Sequence, residues 1–220
     1  MRLQSERRAV AGAARRLAAE GLVHGTAGNV SATDGELVAI TPTGAVLAEL
    51  EPGHVAVVDR EGSLVEGELE PTSELDLHLG IYSRFDAGAV VHTHAPMATA
   101  LSCVLAELPC VHYSMLLLGG TVRVAPYATF GSPELARAVG DALEGRTAAL
   151  MANHGAVTLG PGIDAAVERS LLLEWACTVY WRARAIGEPR MLDEDERAAV
   201  VATALERGYG TTKPAGGGDE

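Results

Sequence analysis

Lysine is nearly absent from this chain. The 220 residues include a single lysine, Lys213, which lies in the glycine-rich segment at the end of the sequence. Schiff-base catalysis needs a lysine amine held in a desolvated pocket. We therefore expect any carbonyl chemistry of this chain to use a different electron sink.

Cysteine is also scarce, and its arrangement argues against two classes of small protein. The three cysteines, Cys103, Cys110 and Cys177, are odd in number and form no C-x-x-C pair. This pattern is atypical of a disulfide framework and of a cysteine-based zinc finger. It favours a reducing compartment, so the cytoplasm is the predicted location.

Long apolar runs and basic clusters are missing as well. No stretch is long enough to span a bilayer, and Arg15 and Arg16 interrupt the alanines that could otherwise form a signal-peptide core. The formal net charge is −12 and no dense basic cluster offsets it, which argues against duplex nucleic acid as a partner. We expect neither a membrane nor a nucleic-acid partner.

What the chain does contain is the pattern of one α/β domain. Hydrophobic residues make up 48% of it, as in folded globular proteins. Asp34-Gly35 between two short apolar runs predicts a hairpin, and Ser132-Pro133 predicts the start of a helix over 132–144. Residues 1–210 are predicted to form a single domain with a central mixed, mainly antiparallel sheet and helices on both faces. Residues 211–220 are predicted to be a flexible tail. Other predicted elements include helices over 71–84 and 95–106 and a strand near 111–117.

Histidines at the ends of two predicted strands are the main functional signal. In "VVHTHAPM", His92 and His94 are two residues apart, so their rings project to the same face of a strand. Such a pair either binds a metal ion or merely ends a strand. His154, in "NHG" after a second apolar run, supplies a third nitrogen, and three histidines favour an open, catalytic zinc site. Glu74, at a predicted helix start, either stabilises the helix dipole or acts as ligand or base. His78 is expected to be packed or solvated.

Seven motifs in order point to a known family. They are "GTAGNVS", "ITPTG", "PTSE", "VVHTHA", "HY", "APYATFG" and "NHG". Together, from about residue 5 to residue 207, they resemble the class II aldolase/adducin family, and within it the fuculose-phosphate aldolases.

The resemblance implies a reaction. It implies a zinc-dependent aldolase, with another divalent metal as an alternative, that reversibly cleaves a ketose 1-phosphate. The substrate would be L-fuculose 1-phosphate or a similar sugar, and the products dihydroxyacetone phosphate and an aldehyde such as L-lactaldehyde. Such an enzyme uses the metal ion as electron sink and needs no Schiff-base lysine.

The resemblance also implies roles for individual residues. His92, His94 and His154 match the zinc ligands, and Glu74 matches the acid that both binds zinc and serves as base. Tyr113 matches a proton donor contributed by a neighbouring subunit of a cyclic homotetramer, with active sites at the subunit interfaces. Tyr209 stands where fuculose-phosphate aldolases carry a functional tyrosine, but in different surroundings. Phe130 matches a residue beside the aldehyde. The residues that match the phosphate-binding loops are Asn29, Thr43, Gly44, Thr72 and Ser73.

Other functions remain open on the same residues. A sugar-phosphate epimerase, a dehydratase or a decarboxylase could use the same metal site, although related epimerases place Asp where Glu74 stands. A non-catalytic, adducin-type binding protein is the alternative from another class. The intact histidines and Glu74 argue against it.

Overall fold

The computed structural model describes residues 2–207, and in this range nine strands form one sheet with six α-helices around it. The strands are β1 (Asn29–Thr33), β2 (Val38–Ile40), β3 (Ala56–Val58), β4 (Leu64–Glu66), β5 (Ala89–Thr93), β6 (Glu107–Leu108), β7 (Val122–Ala125), β8 (Ala148–Met151) and β9 (Gly155–Gly160). The helices are α1 (Gln4–Ala19), α2 (Leu75–Arg84), α3 (Pro96–Ser102), α4 (Pro133–Ala142), α5 (Ile163–Ile186) and α6 (Glu194–Arg207). Short 3-10 helices span Leu47–Glu49, Pro52–His54 and Tyr113–Leu118.

The sheet is mixed and mainly antiparallel, as predicted. Its strand order is β4-β3-β2-β1-β5-β9-β8-β7-β6. Among the described strands, β7 and β8 are the one parallel pair, and every other neighbouring pair is antiparallel. The central strand β5 therefore lies between β1 and β9, with His92 opposite Asn29 on one side and Val157 on the other.

Helices cover both faces of the sheet, which confirms the predicted fold class. Helices α1, α3 and α5 contribute to one hydrophobic core, and α2 and α4 contribute to the other. Strand β5 contributes to both cores, because Val91 packs in the first core and Val90 packs in the second. By the alternation of side chains along a strand, His92 points to the face that α2 covers.

Helix α3 ends at Ser102, four residues before the expected end at residue 106, and two further elements differ from the sequence-based expectation. Helix α2 begins at Leu75 and not at residue 71, because Thr72 N–H donates to the Thr41 carbonyl and Pro71 forms a bridge with Pro42. Those contacts hold Pro71 and Thr72 beside the loop after β2, and Ser73 and Glu74 form a turn that leads into the helix.

The second difference lies at residues 111–117, where a strand was expected. Most of this stretch is the 3-10 helix Tyr113–Leu118, whose first turn is capped by the His112 ring accepting from Ser114 N–H. The predicted hairpin at Asp34-Gly35 is confirmed, since β1 and β2 pair around it.

Candidate metal centre and active site

Three imidazole rings meet at the end of the central strands. His92 lies near the end of β5 and His94 is one residue beyond it, while His154 lies in the tight turn between β8 and β9. The ring centroids are 4.8 to 5.0 Å apart, and the candidate ligand atoms all lie within 4.8 Å of one another. The pairing of β5 with β9 thus brings together histidines that are distant in the sequence.

Two glycines permit the close backbone contacts that this convergence requires. A Cβ on Gly155 would lie 2.3 Å from the Thr93 carbonyl oxygen. A Cβ on Gly28, which has a φ of +85°, would lie 2.8 Å from the His92 carbonyl oxygen. Since side chains cannot be accommodated at such distances, both strands beside β5 need glycine next to the histidines.

Glu74 completes the cluster from the other side of the site. Its Oε2 lies 3.1 Å from His92 Nε2 and accepts a 2.9 Å hydrogen bond from the Asn29 amide. Its Oε1 is buried, makes no hydrogen bond within the described part of the chain, and lies 3.5 Å from His154 Nε2. A buried carboxylate oxygen without a donor is costly unless a cation or a ligand satisfies it.

The contacts of His92 fix which of its nitrogens faces the cluster. Its Nδ1 lies 3.0 Å from the Ala156 carbonyl oxygen, so Nδ1 carries the hydrogen and donates. The Nε2 atom then faces the cluster and lies 3.0 Å from His94 Nε2. Histidines that bind metals are typically oriented in this way by a carbonyl on the other nitrogen.

The ionisation of the cluster suits cation binding. Burial lowers the pKa of His94 to about 4 and also lowers the pKa of His154, with the charge of His92 acting in the same direction. Burial alone would raise the pKa of Glu74, but contacts with His92 and Asn29 outweigh it and hold that pKa well below its ordinary value. Near neutral pH the site therefore offers the neutral imidazoles of His94 and His154 and the ionised carboxylate of Glu74.

These residues fit a divalent metal ion. Three imidazole nitrogens and one carboxylate are a ligand set that zinc and related ions prefer. The unsatisfied Glu74 Oε1 and the close approach of the His92 and His94 Nε2 atoms are both compatible with a positive ion held between these groups. His92, His94, His154 and Glu74 are the residues that would hold it.

A cavity of about 290 Å³ opens beside the cluster. Its lining is largely polar and includes two exposed aromatic side chains, Tyr127 and Phe130. The structure brings every predicted phosphate- and aldehyde-binding residue to its lining. Those residues are Asn29, Thr43, Gly44, Thr72, Ser73 and Phe130.

One predicted catalytic tyrosine, Tyr113, is not brought to this cavity. Tyr113 begins the 3-10 helix after β6 and is 42% exposed, and it lines a different groove, against α6. The predicted tail and Tyr209 lie outside the described residues, so the catalytic role of Tyr209 stays a prediction.

The sequence reasoning missed several residues that line or support the site. Thr26 and Tyr127 line the cavity, and both lie inside motifs that had been recognised, "GTAGNVS" and "APYATFG". His78 was expected to be packed or solvated. The structure buries it completely and places both ring nitrogens in hydrogen bonds, to Ser31 and Asn29.

Fold and site together define a single-domain α/β protein with a histidine–carboxylate cluster, able to hold a metal ion, at the end of its central strands. The chain belongs to the family described as the Class II Aldolase and Adducin N-terminal domain, whose sequence model matches residues 8–181. The resemblance seen in the motifs is therefore confirmed.

Named relatives of this chain are aldolases. A 5-deoxy-D-ribulose 1-phosphate aldolase from Bacillus thuringiensis serovar kurstaki is 40% identical over 199 residues, which are 89% of this chain and 93% of the relative. A 5-methylthioribulose-1-phosphate/5-deoxyribulose-1-phosphate aldolase from Rhodospirillum rubrum is 41% identical and covers 86% of each chain. A solved L-fuculose 1-phosphate aldolase aligns with a TM-score of 0.87 and 35% identity, covering 91% of this chain and 96% of its own.

These relatives confirm the expected enzyme class, the aldehyde-lyases. The metal-binding prediction is supported at the level of a divalent-ion site, because class II aldolases are metal-dependent and the histidine group is present. In the described range, no helix is both long and apolar enough to cross a membrane. The cytoplasmic location stays a prediction.

Proposed function

We propose that this protein is a zinc-dependent aldolase that cleaves a ketose 1-phosphate to dihydroxyacetone phosphate and a short aldehyde. The observation that carries the proposal is the buried, unsatisfied Glu74 Oε1 among three imidazoles at the floor of a polar cavity. This arrangement offers a base and a cation site within one small volume, which cleavage next to a carbonyl group requires.

Proton transfer is assigned to Glu74. A bound divalent ion would supply the Lewis acid that stabilises the negative charge developing on the substrate oxygens. Glu74, ionised at neutral pH, would hold and return the proton at the carbon of dihydroxyacetone phosphate. Its Oε1 atom is the free oxygen of the pair and faces His154, so we assign the proton to Oε1.

The phosphate is assigned to polar residues of the cavity lining. These include Thr43, Gly44 and Ser73, and no arginine or lysine is among the described residues of the lining. Hydroxyl groups and backbone N–H groups can bind phosphate without a cationic side chain. This explains how a chain with a net charge of −12 can bind an anionic substrate.

The aromatic residues of the cavity lining are assigned to the aldehyde. L-Fuculose 1-phosphate would release L-lactaldehyde, and 5-deoxyribulose 1-phosphate would release acetaldehyde, so both aldehydes end in a methyl group. Phe130 and Tyr127 offer an apolar surface for that methyl group. Both sugars are candidates, and the two relatives named for deoxyribulose phosphate favour including the second.

Tyr113 is proposed to act from a neighbouring subunit of a homotetramer. The tyrosine lies outside the described lining of its own cavity and is partly exposed on the surface near α6. A phenol that is exposed in this way can reach the site of another copy, where it would donate a proton to the aldehyde oxygen.

A cleavage assay tests the proposed reaction. The purified protein, supplied with Zn²⁺, is incubated with L-fuculose 1-phosphate, 5-deoxyribulose 1-phosphate and L-ribulose 5-phosphate. Dihydroxyacetone phosphate is detected by its NADH-dependent reduction. We expect release from at least one ketose 1-phosphate. Release from none of them, or epimerisation of the pentose 5-phosphate, would contradict the aldolase function in favour of the epimerase, dehydratase or decarboxylase alternatives.

The metal site has its own test. The His94→Ala variant removes one imidazole from the cluster without touching the core, since His94 lies beyond the end of β5. We expect it to bind less than one tenth of the wild-type zinc by elemental analysis and to lose cleavage activity. His24→Ala, at an exposed histidine outside the cluster, is the control. Wild-type protein that retains no divalent metal would support the non-catalytic, adducin-type alternative.

A further inference from the structure

A chain of buried side-chain hydrogen bonds leads away from Glu74 into the core. Tyr82 Oη lies 2.8 Å from Ser31 Oγ, which lies 2.7 Å from His78 Nδ1. His78 Nε2 lies 2.5 Å from Asn29 Oδ1, and the Asn29 amide donates to Glu74 Oε2. All five side chains are at most 7% exposed.

Two regular elements build this chain by simple spacing. Glu74, His78 and Tyr82 follow one another at intervals of four residues. They therefore lie on the same face of α2, with Glu74 at its N-terminus. Asn29 and Ser31 are two residues apart on β1 and share the face that α2 covers. Side chains of the α2 segment and side chains of β1 therefore alternate along the chain of hydrogen bonds.

The orientation of the Asn29 amide and the burial of the His78 ring together fix the direction of every hydrogen bond. Burial lowers the pKa of His78 to about 3, with the charge of His92 acting in the same direction, so the ring is neutral and only one of its nitrogens carries a hydrogen. Because the Asn29 amide group faces Glu74, its carbonyl faces His78 and must accept from Nε2–H. Nδ1 then accepts from the Ser31 hydroxyl, and the Ser31 oxygen accepts from Tyr82.

We propose that His78, held by Ser31, is a positioning residue for catalysis. It locks the Asn29 amide in the orientation that holds Glu74 Oε2 and leaves Oε1 free for proton transfer. Without the Nε2–H donor, the Asn29 amide could turn over and present its carbonyl to the Glu74 carboxylate, which would repel it. The inference rests on the proposed function, because it concerns the base of that reaction.

A hydrogen bond that only stabilised the core would behave differently on mutation. Loss of Glu74 alignment lowers kcat and changes KM for the ketose phosphate much less, because Thr43, Gly44 and Ser73, to which the phosphate is assigned, stay in place. Loss of core stability lowers the melting temperature and leaves the kcat of the folded protein unchanged. The two roles are thus separable by steady-state kinetics on folded protein.

The experiment compares four variants of the zinc-loaded protein. We expect His78→Leu to lower kcat about 100-fold, as for a catalytic group displaced by about 1 Å, with KM changed less than about threefold. Ser31→Ala is expected to lower kcat about tenfold. His78→Gln, whose amide can still donate to Asn29, should recover most of the activity. Ser170→Ala removes another buried serine, hydrogen-bonded to Thr158, and should leave kcat unchanged.

A second measurement does not depend on activity. In ¹H–¹⁵N spectra of histidine-labelled protein, His78 should show a hydrogen on Nε2 and a bare Nδ1. A hydrogen on Nδ1, or a His78→Leu variant with wild-type kcat, overturns the inference. Equal losses of kcat in Ser31→Ala and Ser170→Ala also overturn it. Wild-type protein that releases no dihydroxyacetone phosphate refutes the proposed function, and the assignment of Glu74 as a positioned base falls with it. The spectra then still decide the direction of the hydrogen bonds.

Discussion

At the scale of single residues, Glu74 has two oxygens with different surroundings. Oε2 is held by Asn29 and lies near His92, while Oε1 has no hydrogen bond within the described chain. A carboxylate held by one oxygen keeps its orientation and still has an oxygen available to the substrate. Glutamine at this position would preserve the shape but could not accept a proton.

We therefore expect Glu74→Gln to fold normally and to lose turnover by about 10²- to 10⁴-fold, as is typical of a lost general base. The measurement is kcat for ketose 1-phosphate cleavage alongside the melting temperature. Glu70→Gln, at an exposed glutamate in the same loop, is the matched control. Near-normal turnover in Glu74→Gln would refute its role as base.

His78 makes stability depend on pH. Its folded pKa of about 3 lies below the ordinary value of 6.5, so the unfolded chain binds the proton more readily. The preference of the folded protein for a neutral His78 ring therefore contributes fully to the free energy of unfolding above pH 6.5. This contribution is lost as the pH falls from 6.5 towards 3.

Urea unfolding at pH 7 and pH 5 measures this contribution. The His78→Gln variant, which cannot titrate here, is expected to lose about 2 kcal/mol less between these values than the wild type. Both proteins share the other histidines, so the difference isolates position 78. Equal losses in the two proteins would show that His78 is not protonated on unfolding in this range.

At the scale of elements, the contact between β5 and the start of β9 depends on Gly155. A methyl group there would collide with the Thr93 carbonyl, so one of the two strands must move. We expect Gly155→Ala to lower the free energy of unfolding by about 1–3 kcal/mol and to weaken zinc binding. Gly12→Ala in α1, where no atom lies within 4 Å of the added carbon, should instead stabilise by about 0.5–1 kcal/mol. Similar effects of the two substitutions on unfolding would contradict the close contact.

Elements with strong local signals were predictable. Asp34-Gly35 predicted its hairpin, Ser132-Pro133 predicted the start of α4, and the two-residue spacing predicted that His92 and His94 face the same ion site. The start of α2 was not predictable, because Thr72 pairs with Thr41 of a distant loop. The partners of His78 were equally hidden, since they depend on how α2 packs against β1.

At the scale of the whole molecule, the proposed active site needs more than one chain. The metal ligands and Glu74 come from one copy, and Tyr113 would come from the next. A variant lacking a ligand and a variant lacking the tyrosine then have complementary defects.

We expect Tyr113→Phe and His94→Ala to be nearly inactive when pure and to regain activity when co-expressed. In mixed oligomers some interfaces combine an intact metal site with an intact tyrosine. The specific activity of co-purified protein, with a different tag on each chain, measures this. Activity in the mixture no greater than the sum of the two pure variants would place Tyr113 outside the neighbouring site, as would a monomeric mass in light scattering.

The metal centre also links catalysis to folding. His92, His154 and Glu74 belong to segments far apart along the chain, and they meet only after β5 has paired with β9 and α2 has packed on β1. Contacts between such distant segments form slowly during folding. The unfolded chain therefore presents no assembled site, and an ion that binds these groups draws the population towards the native state by mass action. Zinc starvation would then shorten the lifetime of the folded protein and also abolish its activity.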